Sequence, residues 1–336
     1  MRFSVIIPFF FKREAYLKEF LSHMESAESF EVLIAANQPL GFQPPTFARV
    51  ILTEKISQGE KFDIGAAQAT GEILVFVGDD TYPASDWLTK AAAYFADPEL
   101  VALGGPGLTP PEDSALQKAS GFLYESPFAM GPTAFRHSRQ KVRCCDDLPG
   151  TNLFIRKDAF NQVGGFDNSF CSGEDSYICN KLAKAIKEQQ KAHLVEGLGP
   201  MRRWKMLFVP DVIVYHHRRN ALRGYLRQIW GVGVMRAYFA KSFGGNSRRP
   251  TYFAPMVALF LIPALMLLSY TFAVATIIAL VAVVASSASY YEGRYGQTGA
   301  ALRVGLAIPL TYITYGIGFL VGLTLSKDSP RLYHRE

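Results

Sequence analysis

The sequence predicts an α/β domain followed by C-terminal transmembrane helices. Over residues 1–200, short runs rich in β-branched residues alternate with patterns of helical period, which is typical of an open α/β sheet. Residues 251–290 contain no charged side chain, and this stretch is about twice the ~20 residues that a helix needs to cross a bilayer. Because 49% of the residues are apolar, a sizeable core is expected.

The alternation places the elements of the predicted sheet. The predicted strands are Ser4–Pro8, Glu31–Ala35, Val50–Leu52, Ile73–Val77 and Val101–Leu103. The predicted helices are Glu14–Ser26, Ala84–Phe95 and Tyr177–Lys187, and the segment Gly104–Glu112 is predicted to be a loop. In an open α/β sheet, ligands bind at the carboxyl ends of the strands, so the residues that follow the strands are the candidates for function.

The apolar C-terminal region predicts two membrane spans and leaves a third open. Residues 251–290 fit two helices in a tight hairpin that turns near Ser269 and Tyr270. The stretch Ala300–Leu325 fits either a third span or a helix that lies partly in the membrane interface.

A basic segment precedes the first span. Residues 201–250 hold eleven Lys or Arg residues against one acid, Asp211, which gives this segment a charge of +10 in a chain of net charge +6. Such a block fits a phosphate, a nucleic acid or a lipid headgroup surface, or is a solvated face. Its position beside the apolar stretch favours membrane lipids over nucleic acid. The positive-inside rule then predicts a multi-pass protein of the inner (cytoplasmic) membrane, with the N-terminal two-thirds in the cytoplasm.

The four cysteines form no metal or disulfide pattern, which agrees with a reducing compartment.

A pair of carboxylates follows the predicted strand Ile73–Val77. Asp79 and Asp80 stand where the strand ends, and adjacent carboxylates at a strand end are suited to a hard divalent ion. Mg²⁺ or Mn²⁺ held by one or two carboxylates together with substrate phosphates is the usual arrangement. The alternative is an aspartate-rich turn before Pro83.

A second acidic pair, Glu174 and Asp175, precedes the helical run Tyr177–Lys187. An ionised carboxylate in a cleft is suited to act as a general base toward a hydroxyl group. The alternative is that these acids only cap the helix and complement its dipole.

The third element is Val214–Arg219 with the following Leu226–Gly231. One of its histidines, His216 or His217, is expected to add a metal ligand, with His217 as the first choice, although each histidine alone also fits a packing role. Its arginines are suited to a pyrophosphate because a guanidinium forms bidentate bonds to phosphate oxygens.

Taken together, these elements resemble the family 2 glycosyltransferases, which are inverting enzymes with a GT-A (nucleotide-diphospho-sugar transferase, Rossmann-like) fold. The resemblance covers residues 3–240. The motifs that occur in the family's order are Val5–Pro8, Lys61–Asp63, Ala69–Glu72, Gly78–Asp80, Thr151–Lys157, Gly164–Asp167, Gly173–Asp175 and Arg227–Trp230.

The resemblance implies a role for each matching residue. It implies that Asp80 binds the metal with Asp79 close by, and that Asp175 is the general base with Glu174 beside it. The residues implied to bind the donor, or to line the acceptor or diphosphate side, are Pro8, Asn37, Lys61, Asp63, Asp79, Arg227, Gln228 and Trp230.

The chain departs from the family pattern at two positions. After the second strand the family usually has an acidic pair that helps to hold the nucleoside, whereas this chain has Ile34–Gln38, and Asn37 is the expected hydrogen-bonding substitute. Gly78 stands where a third aspartate often occurs, which leaves fewer carboxylates for the metal.

The resulting prediction is a GT-A domain over residues 1–220, a basic amphipathic interfacial segment over 221–250, a transmembrane region over 251–325 and a tail over 326–336. The predicted reaction is inverting transfer of a sugar from a nucleotide-sugar donor to a hydroxyl acceptor, lipid-linked or glycan, in cell-surface polysaccharide or glycolipid synthesis. The alternatives are a polyprenyl-phosphate sugar synthase or a processive polysaccharide synthase. In another class, a catalytically silent membrane scaffold or a sugar-nucleotide binding module is also open.

Overall fold

The computed structural model describes residues 1–10, 13–166, 170, 172–195 and 205–329. Within this part, the chain forms two compact units, which are described separately. The first unit comprises Met1–Leu108 and Ser138–His216, and the second comprises Thr109–His137 and His217–Ser329.

The secondary structure alternates strands and helices and then becomes entirely helical. The strands are β1 (Arg2–Phe9), β2 (Ser29–Ala36), β3 (Ala48–Leu52), β4 (Ile73–Val77), β5 (Thr81–Pro83), β6 (Leu100–Gly104), β7 (Gly107–Leu108), β8 (Arg143–Cys144), β9 (Asn152–Arg156), β10 (Lys205–Phe208) and β11 (Val214–His216). The α-helices are α1 (Glu14–Ser22), α2 (Gln58–Gln68), α3 (Trp87–Phe95), α4 (Ala115–Glu125), α5 (Pro127–Met130), α6 (Lys157–Gln162), α7 (Glu174–Val195), α8 (Arg223–Ser242), α9 (Pro250–Leu268), α10 (Tyr270–Tyr295) and α11 (Thr298–Thr324). Two 3₁₀ helices span Gly131–His137 and Gly245–Arg248.

The first unit is built on a mixed sheet with the strand order β3-β2-β1-β4-β9-β6-β10-β8. Strands β3, β2, β1 and β4 are parallel, and β9 runs antiparallel between β4 and β6. Every residue of β4 is buried, as expected for a strand that is covered on both faces. The register pairs Phe9 with Ala36 and Val77 with Asn152, so the carboxyl ends of β1, β2 and β4 meet the beginning of β9 at one edge of the sheet.

A small second sheet with the order β5-β11-β7 lies in the same unit. Strand β11 pairs antiparallel with β5, which sets His216 opposite Thr81, and parallel with β7. The rings of Tyr82 and Tyr215 stack across this sheet with their centroids 4.9 Å apart. The sheet therefore brings the residues that follow β4 next to the end of β11.

The five predicted strands are confirmed, each within a strand of equal or greater length, whereas several predicted boundaries are wrong. Helix α3 begins at Trp87 instead of Ala84, because the N–H group of Ala84 donates to the carbonyl of Ile213 and continues the pairing of β5. Helix α7 begins at Glu174, three residues before the predicted start. The predicted loop Gly104–Glu112 contains β7, since Gly107 pairs with β11.

The second unit contains three helices that are long and apolar enough to cross a membrane, namely α9, α10 and α11. The predicted hairpin is confirmed, because α9 ends at Leu268 and α10 begins at Tyr270. Ser269 caps α10, and its side chain accepts a hydrogen bond of 3.2 Å from the N–H of Phe272. Helices α4 and α8 belong to this unit and pack with α11 around a shared apolar cluster.

Candidate active site

The carboxylates of Asp79 and Asp80 lie directly after β4, at the carboxyl edge of the parallel strands. Arg13, at the start of α1, donates through Nη1 to both of them, with a distance of 2.9 Å to Asp79 Oδ1. His216 Nε2, at the end of β11, lies 3.2 Å from Asp80 Oδ1. The two carboxylates therefore share one guanidinium group, and one imidazole lies against Asp80.

The charges of this group are strongly coupled to their surroundings. Burial and the neighbouring Asp80 carboxylate raise the pKa of Asp79, although Arg13 acts in the opposite direction. Burial tends to lower the pKa of Arg13, but the two carboxylates outweigh it, so that the pKa of Arg13 is raised. Two acids held together in a desolvated position favour a bound cation.

Lys61 is a fully buried cation in α2. The helix begins with a capping box in which Ser57 and Glu60 each bond to the other's backbone N–H. The Lys61 Nζ donates to the Phe9 carbonyl at 2.6 Å and lies 4.3 Å from the centroid of the Phe10 ring. Burial lowers the pKa of Lys61 to about 8, while the carboxylate of Asp79 acts in the opposite direction. Lys61 therefore lies at the end of β1, within electrostatic reach of the carboxylate pair.

Asp63, two residues further along α2, has a structural contact. Its Oδ1 accepts a hydrogen bond of 2.8 Å from the N–H of Phe166. Gly165 has φ +62°, and a Cβ there would lie 2.6 Å from Asp63 Oδ1. Asp63 thus holds the turn after α6; Asp167 of the same motif lies outside the described residues.

Two further predicted donor residues lie at the same edge of the sheet. Pro8 is buried in β1, where it pairs with Ala35 of β2. Asn37 is exposed directly after the last residue of β2. Since β1, β2 and β4 are parallel neighbours, Asn37 follows the same edge as Asp79.

Asp175 is oriented by two backbone amides at the start of α7. Its Oδ2 accepts from the N–H of Gly150 at 3.1 Å, and its Oδ1 accepts from the N–H of Ser176 at 2.7 Å. A Cβ on residue 150 would lie 2.7 Å from the Asp175 Cβ, so this close approach requires glycine. Glu174 beside it is 9% exposed. The structure therefore fixes the direction in which the Asp175 carboxylate points.

A short chain of contacts connects Asp175 with the carboxylate pair. Gly150 is followed by Thr151, and a Cβ on Gly107 would lie 3.3 Å from Thr151 Oγ1 and 3.5 Å from His216 Cβ. Since His216 contacts Asp80, the base candidate and the carboxylate pair belong to one continuous region of the first unit.

The structure distinguishes the two histidines of the Val214–Arg219 motif. His216 is the histidine that lies against Asp80, whereas His217, the first choice from the sequence, has its Nδ1 2.6 Å from Asp113 Oδ1 inside the second unit. Sequence reasoning also missed Arg13. The signal for Arg13 is its position four residues after the end of β1, at the carboxyl edge. The choice of histidine depends instead on the pairing of β11 with β5.

Arg227, Gln228 and Trp230 lie on α8 of the second unit. Arg227 and Trp230 are exposed and lie three positions apart, so they share a face of the helix, while Gln228 is half-buried. They form a cationic and aromatic surface on this unit.

The residues around Asp80 fit a divalent cation. Carboxylate oxygens are the ligands preferred by Mg²⁺ and Mn²⁺, and an imidazole nitrogen is also suited to Mn²⁺. The guanidinium of Arg13, which donates to both carboxylates, shows that the pair accepts one positive charge between them. A cation held there would have to displace this contact.

The mixed sheet, the aspartate pair after β4 and the small second sheet together define a GT-A-like α/β domain. Residues 42–164 match the family model described as Glycosyl transferase family 2. These residues thus match a family 2 glycosyltransferase domain, within a GT-A-like fold that is followed by three long apolar helices. The family and the fold class predicted from the sequence are confirmed.

Several known proteins are similar to this chain. The pre-mycofactocin glycosyltransferase of Mycobacterium tuberculosis is 26% identical over 202 residues, which is 57% of this chain and 36% of that protein. The glucosyl-dolichyl phosphate glucuronosyltransferase of Haloferax volcanii is 28% identical over 117 residues, 34% of this chain and 36% of that protein. The chain therefore spans about a third of the length of these two curated relatives.

Among solved structures, the mannosyltransferase PcManGT from Pyrobaculum calidifontis, in complex with GDP-Man and Mn2+, is similar in fold. The similarity covers 95% of this chain and 87% of that one, with a TM-score of 0.54 and 19% sequence identity.

Proposed function

We propose that this protein is a membrane-anchored, inverting glycosyltransferase that moves a sugar from a nucleotide-diphosphate-sugar donor to a hydroxyl acceptor. The observation that carries the proposal is the placement of Asp79, Asp80 and His216 in one region with the oriented carboxylate of Asp175. A cation site next to a positioned base is what transfer from a diphosphate donor to a hydroxyl requires.

In this proposal, Asp79, Asp80 and His216 would hold Mg²⁺ or Mn²⁺. A bound cation would supply positive charge that offsets the charge developing on the departing nucleoside diphosphate. Arg13 would then be available to bind a phosphate oxygen instead of the two carboxylates. Lys61 contributes a further positive charge at the end of β1, and Asn37 and Pro8 line the nucleoside side of the same edge.

Asp175 is the proposed general base, with Glu174 beside it. As the acceptor oxygen attacks the anomeric carbon, Asp175 takes the hydroxyl proton, and the bond between that carbon and the diphosphate oxygen breaks with both electrons leaving on the diphosphate. A single displacement of this kind inverts the anomeric configuration. The two backbone amides that bond to Asp175 keep the carboxylate in one orientation for this transfer.

The proposed acceptor is lipid-linked and belongs to cell-surface polysaccharide or glycolipid synthesis. The exposed face of α8 with Arg227 and Trp230 is suited to a headgroup surface, and Gln228 lies on its border. The name of the Haloferax volcanii relative, a glucosyl-dolichyl phosphate glucuronosyltransferase, agrees with an acceptor of this class. The basic block before α9 supports an inner-membrane location with the catalytic unit in the cytoplasm.

The proposed domain organisation follows from these roles. The GT-A domain over residues 1–220 performs transfer, the segment 221–250 contacts the headgroup level, and the region 251–325 anchors the chain.

The test is release of nucleoside diphosphate from a panel of nucleotide sugars by the detergent-solubilised full chain, with Mn²⁺ or Mg²⁺ and with chelator. We expect metal-dependent release from one donor, and a labelled sugar that becomes extractable into organic solvent when membrane lipids are supplied. Transfer to polyprenyl phosphate itself would identify the enzyme as a polyprenyl-phosphate sugar synthase. No release and no donor binding across the panel would contradict the proposal in favour of a silent scaffold.

A further inference from the structure

The third apolar helix, α11, differs from α9 and α10 in its surroundings. Within the most apolar 18-residue window of each helix, 44% of the residues of α11 are buried inside the protein, against 6% for the helix that ends at Leu268 and none for α10. By length and composition alone, all three helices could span a membrane. The side chains of α11 that are buried inside the protein, however, are not available to contact lipid.

The beginning of α11 is tied to the end of α10. Only Gly296 and Gln297 separate the two helices, and Gly296 adopts the left-handed conformation with φ +63°. Further along, a Cβ on Gly305 would lie 2.4 Å from the carbonyl oxygen of Val284, so the two helices pack closely there. Helix α11 therefore starts on the side of the membrane where α10 ends.

The end of α11 is tied to the beginning of α9. The ring of Phe319 packs against that of Phe253, with the centroids 4.8 Å apart, and Phe253 is in the first turn of α9. A full span that returned beside α10 would bring its end to the level of the α9–α10 turn at Ser269. Phe253 is sixteen residues before Ser269, which corresponds to about 24 Å along a helix. Because the hairpin crosses twice, the beginning of α9 and the end of α10 lie on the same side.

Helix α8 covers the C-terminal half of α11. A Cβ on Gly322 would lie 2.1 Å from the carbonyl oxygen of Val234, and one on Gly318 would lie 2.7 Å from that of Trp230. The ammonium group of Lys241 donates to the carbonyl of Leu323 at 2.9 Å, near the end of α11. A charged helix that is packed along this half favours the membrane surface over the hydrocarbon core.

The exposed face of α11 is mostly apolar, and its one exposed charge, Arg303, lies near the beginning of the helix. Its most exposed aliphatic side chains recur at helical spacing, and they are Leu302, Leu306, Ile313 and Ile317. A helix with one covered face and one apolar exposed face is suited to lie in the headgroup and acyl boundary of one leaflet.

We propose that α11 does not cross the membrane. Helices α9 and α10 form the only crossing hairpin of the described residues, α11 lies obliquely in the leaflet where α9 begins and α10 ends, and its apolar stripe contacts the lipids of that leaflet. Residues Ser326–Ser329 then lie on the side of the membrane where α9 begins. This side also suits Lys327 by the positive-inside rule.

The first test is labelling of single cysteines with a membrane-impermeant maleimide in sealed vesicles of known orientation. Cys144, which is exposed on β8, reports the side of the first unit in a chain in which Cys145 and Cys171 are replaced by serine. Ser326→Cys and Tyr270→Cys are then labelled in a chain in which Cys144, Cys145 and Cys171 are replaced by serine, with buried Cys179 retained. Tyr270 is 85% exposed at the turn of the hairpin.

We expect Ser326→Cys to react on the same side as Cys144 and on the side opposite to Tyr270→Cys. If Ser326→Cys reacted on the same side of the membrane as Tyr270→Cys, the proposal would be overturned in favour of three spans. Ser329→Cys provides a second position that must agree, and labelling in detergent verifies that each thiol reacts. The result does not depend on turnover, so an inactive protein would contradict the proposed function without affecting this test.

A second test compares Ile313→Lys, near the middle of α11, with Val281→Lys, near the middle of α10. Both side chains are exposed, at 44% and 62%. We expect a clearly smaller loss of membrane-inserted, monodisperse protein for Ile313→Lys than the several-fold loss for Val281→Lys, because a lysine within one leaflet can extend to the headgroups. An equal loss for both would show that Ile313 lies in the hydrocarbon core and would overturn the proposal.

Discussion

At the scale of single residues, the role of Asp175 is testable with a substitution of nearly the same shape that loses one of its two backbone contacts. Asp175→Asn keeps one oxygen that is able to accept a hydrogen bond, but it no longer takes a proton at neutral pH. We expect kcat to fall about 10²- to 10⁴-fold while the Kd of the donor is unchanged. Asp158→Asn is the matched control, because Asp158 also bonds to the next residue's N–H, in the first turn of α6. Turnover retained in Asp175→Asn would remove Asp175 from the base role.

Lys61 provides a prediction with a defined pH dependence. Its pKa falls from 10.5 in the unfolded chain to about 8, so the folded chain loses this proton first and stability rises with pH between these values. Such a shift corresponds to a cost of about 3 kcal/mol at neutral pH, and removing the hydrogen bond to Phe9 costs about 1 kcal/mol. Lys61→Met is therefore expected to be more stable than the wild type by about 2 kcal/mol at pH 7, with a smaller difference at pH 9.5.

Thermal unfolding in detergent without donor, at pH 7 and pH 9.5, measures this difference in stability. The affinity for the donor is expected to fall in the same variant, because a buried cation is removed. Lys90→Met is the control, since Lys90 pairs with Asp86 on the surface and is 36% exposed. A Lys61→Met variant that is less stable at pH 7, with no trend toward pH 9.5, would contradict a charge cost at this position.

Part of the site could be predicted at this scale. Asp79 and Asp80 follow an apolar strand, so their place at the carboxyl edge depends only on local pattern. The choice between His216 and His217 depends on the pairing of β11 with β5, which no local pattern contains. The contact of Asp63 with Phe166 likewise joins residues 103 positions apart.

At the scale of elements, close packing between α8 and α11 predicts which glycines are required. A methyl group on Gly322 would meet the Val234 backbone, which has no flexible end to move, so Gly322→Ala should lower stability by about 1–3 kcal/mol. Gly293 in α10 has nothing within 4 Å of its position for Cβ, and Gly293→Ala should leave stability unchanged or raise it by up to about 1 kcal/mol. Thermal unfolding of both variants checks the pair; equal effects would contradict the close approach.

Strands that are buried on both faces were predicted well, because a continuous apolar run between two turns indicates such a strand. Strands β1 and β4 are of this kind. The ends of helices were predicted less well where a tertiary contact sets them. Because the N–H of Ala84 bonds to the carbonyl of Ile213, α3 begins later than predicted, and no nearby residue in the sequence indicates this bond.

At the scale of the whole molecule, the sequence predicted the α/β domain and the apolar region, and the structure adds a division of the described residues into two compact units. Residues Thr109–His137 pack with the C-terminal helices, since Ala119 and Leu123 of α4 share a cluster with Tyr225 and Val304. The domain predicted over residues 1–220 includes this segment. Such a division depends on contacts between distant residues and is not visible in composition or periodicity.

The central claim is that the aspartate pair after β4 holds the cation that donor cleavage requires, and Asp80→Ala tests it most directly. Release of nucleoside diphosphate is measured with Mn²⁺, for the wild type, Asp80→Ala and the control Asp86→Ala, whose carboxylate pairs only with surface Lys90 among the ion pairs of the described residues. We predict that Asp80→Ala loses about 10²-fold or more, to the level of the wild type with chelator, while Asp86→Ala retains activity. Wild-type, metal-dependent release by Asp80→Ala would contradict the account.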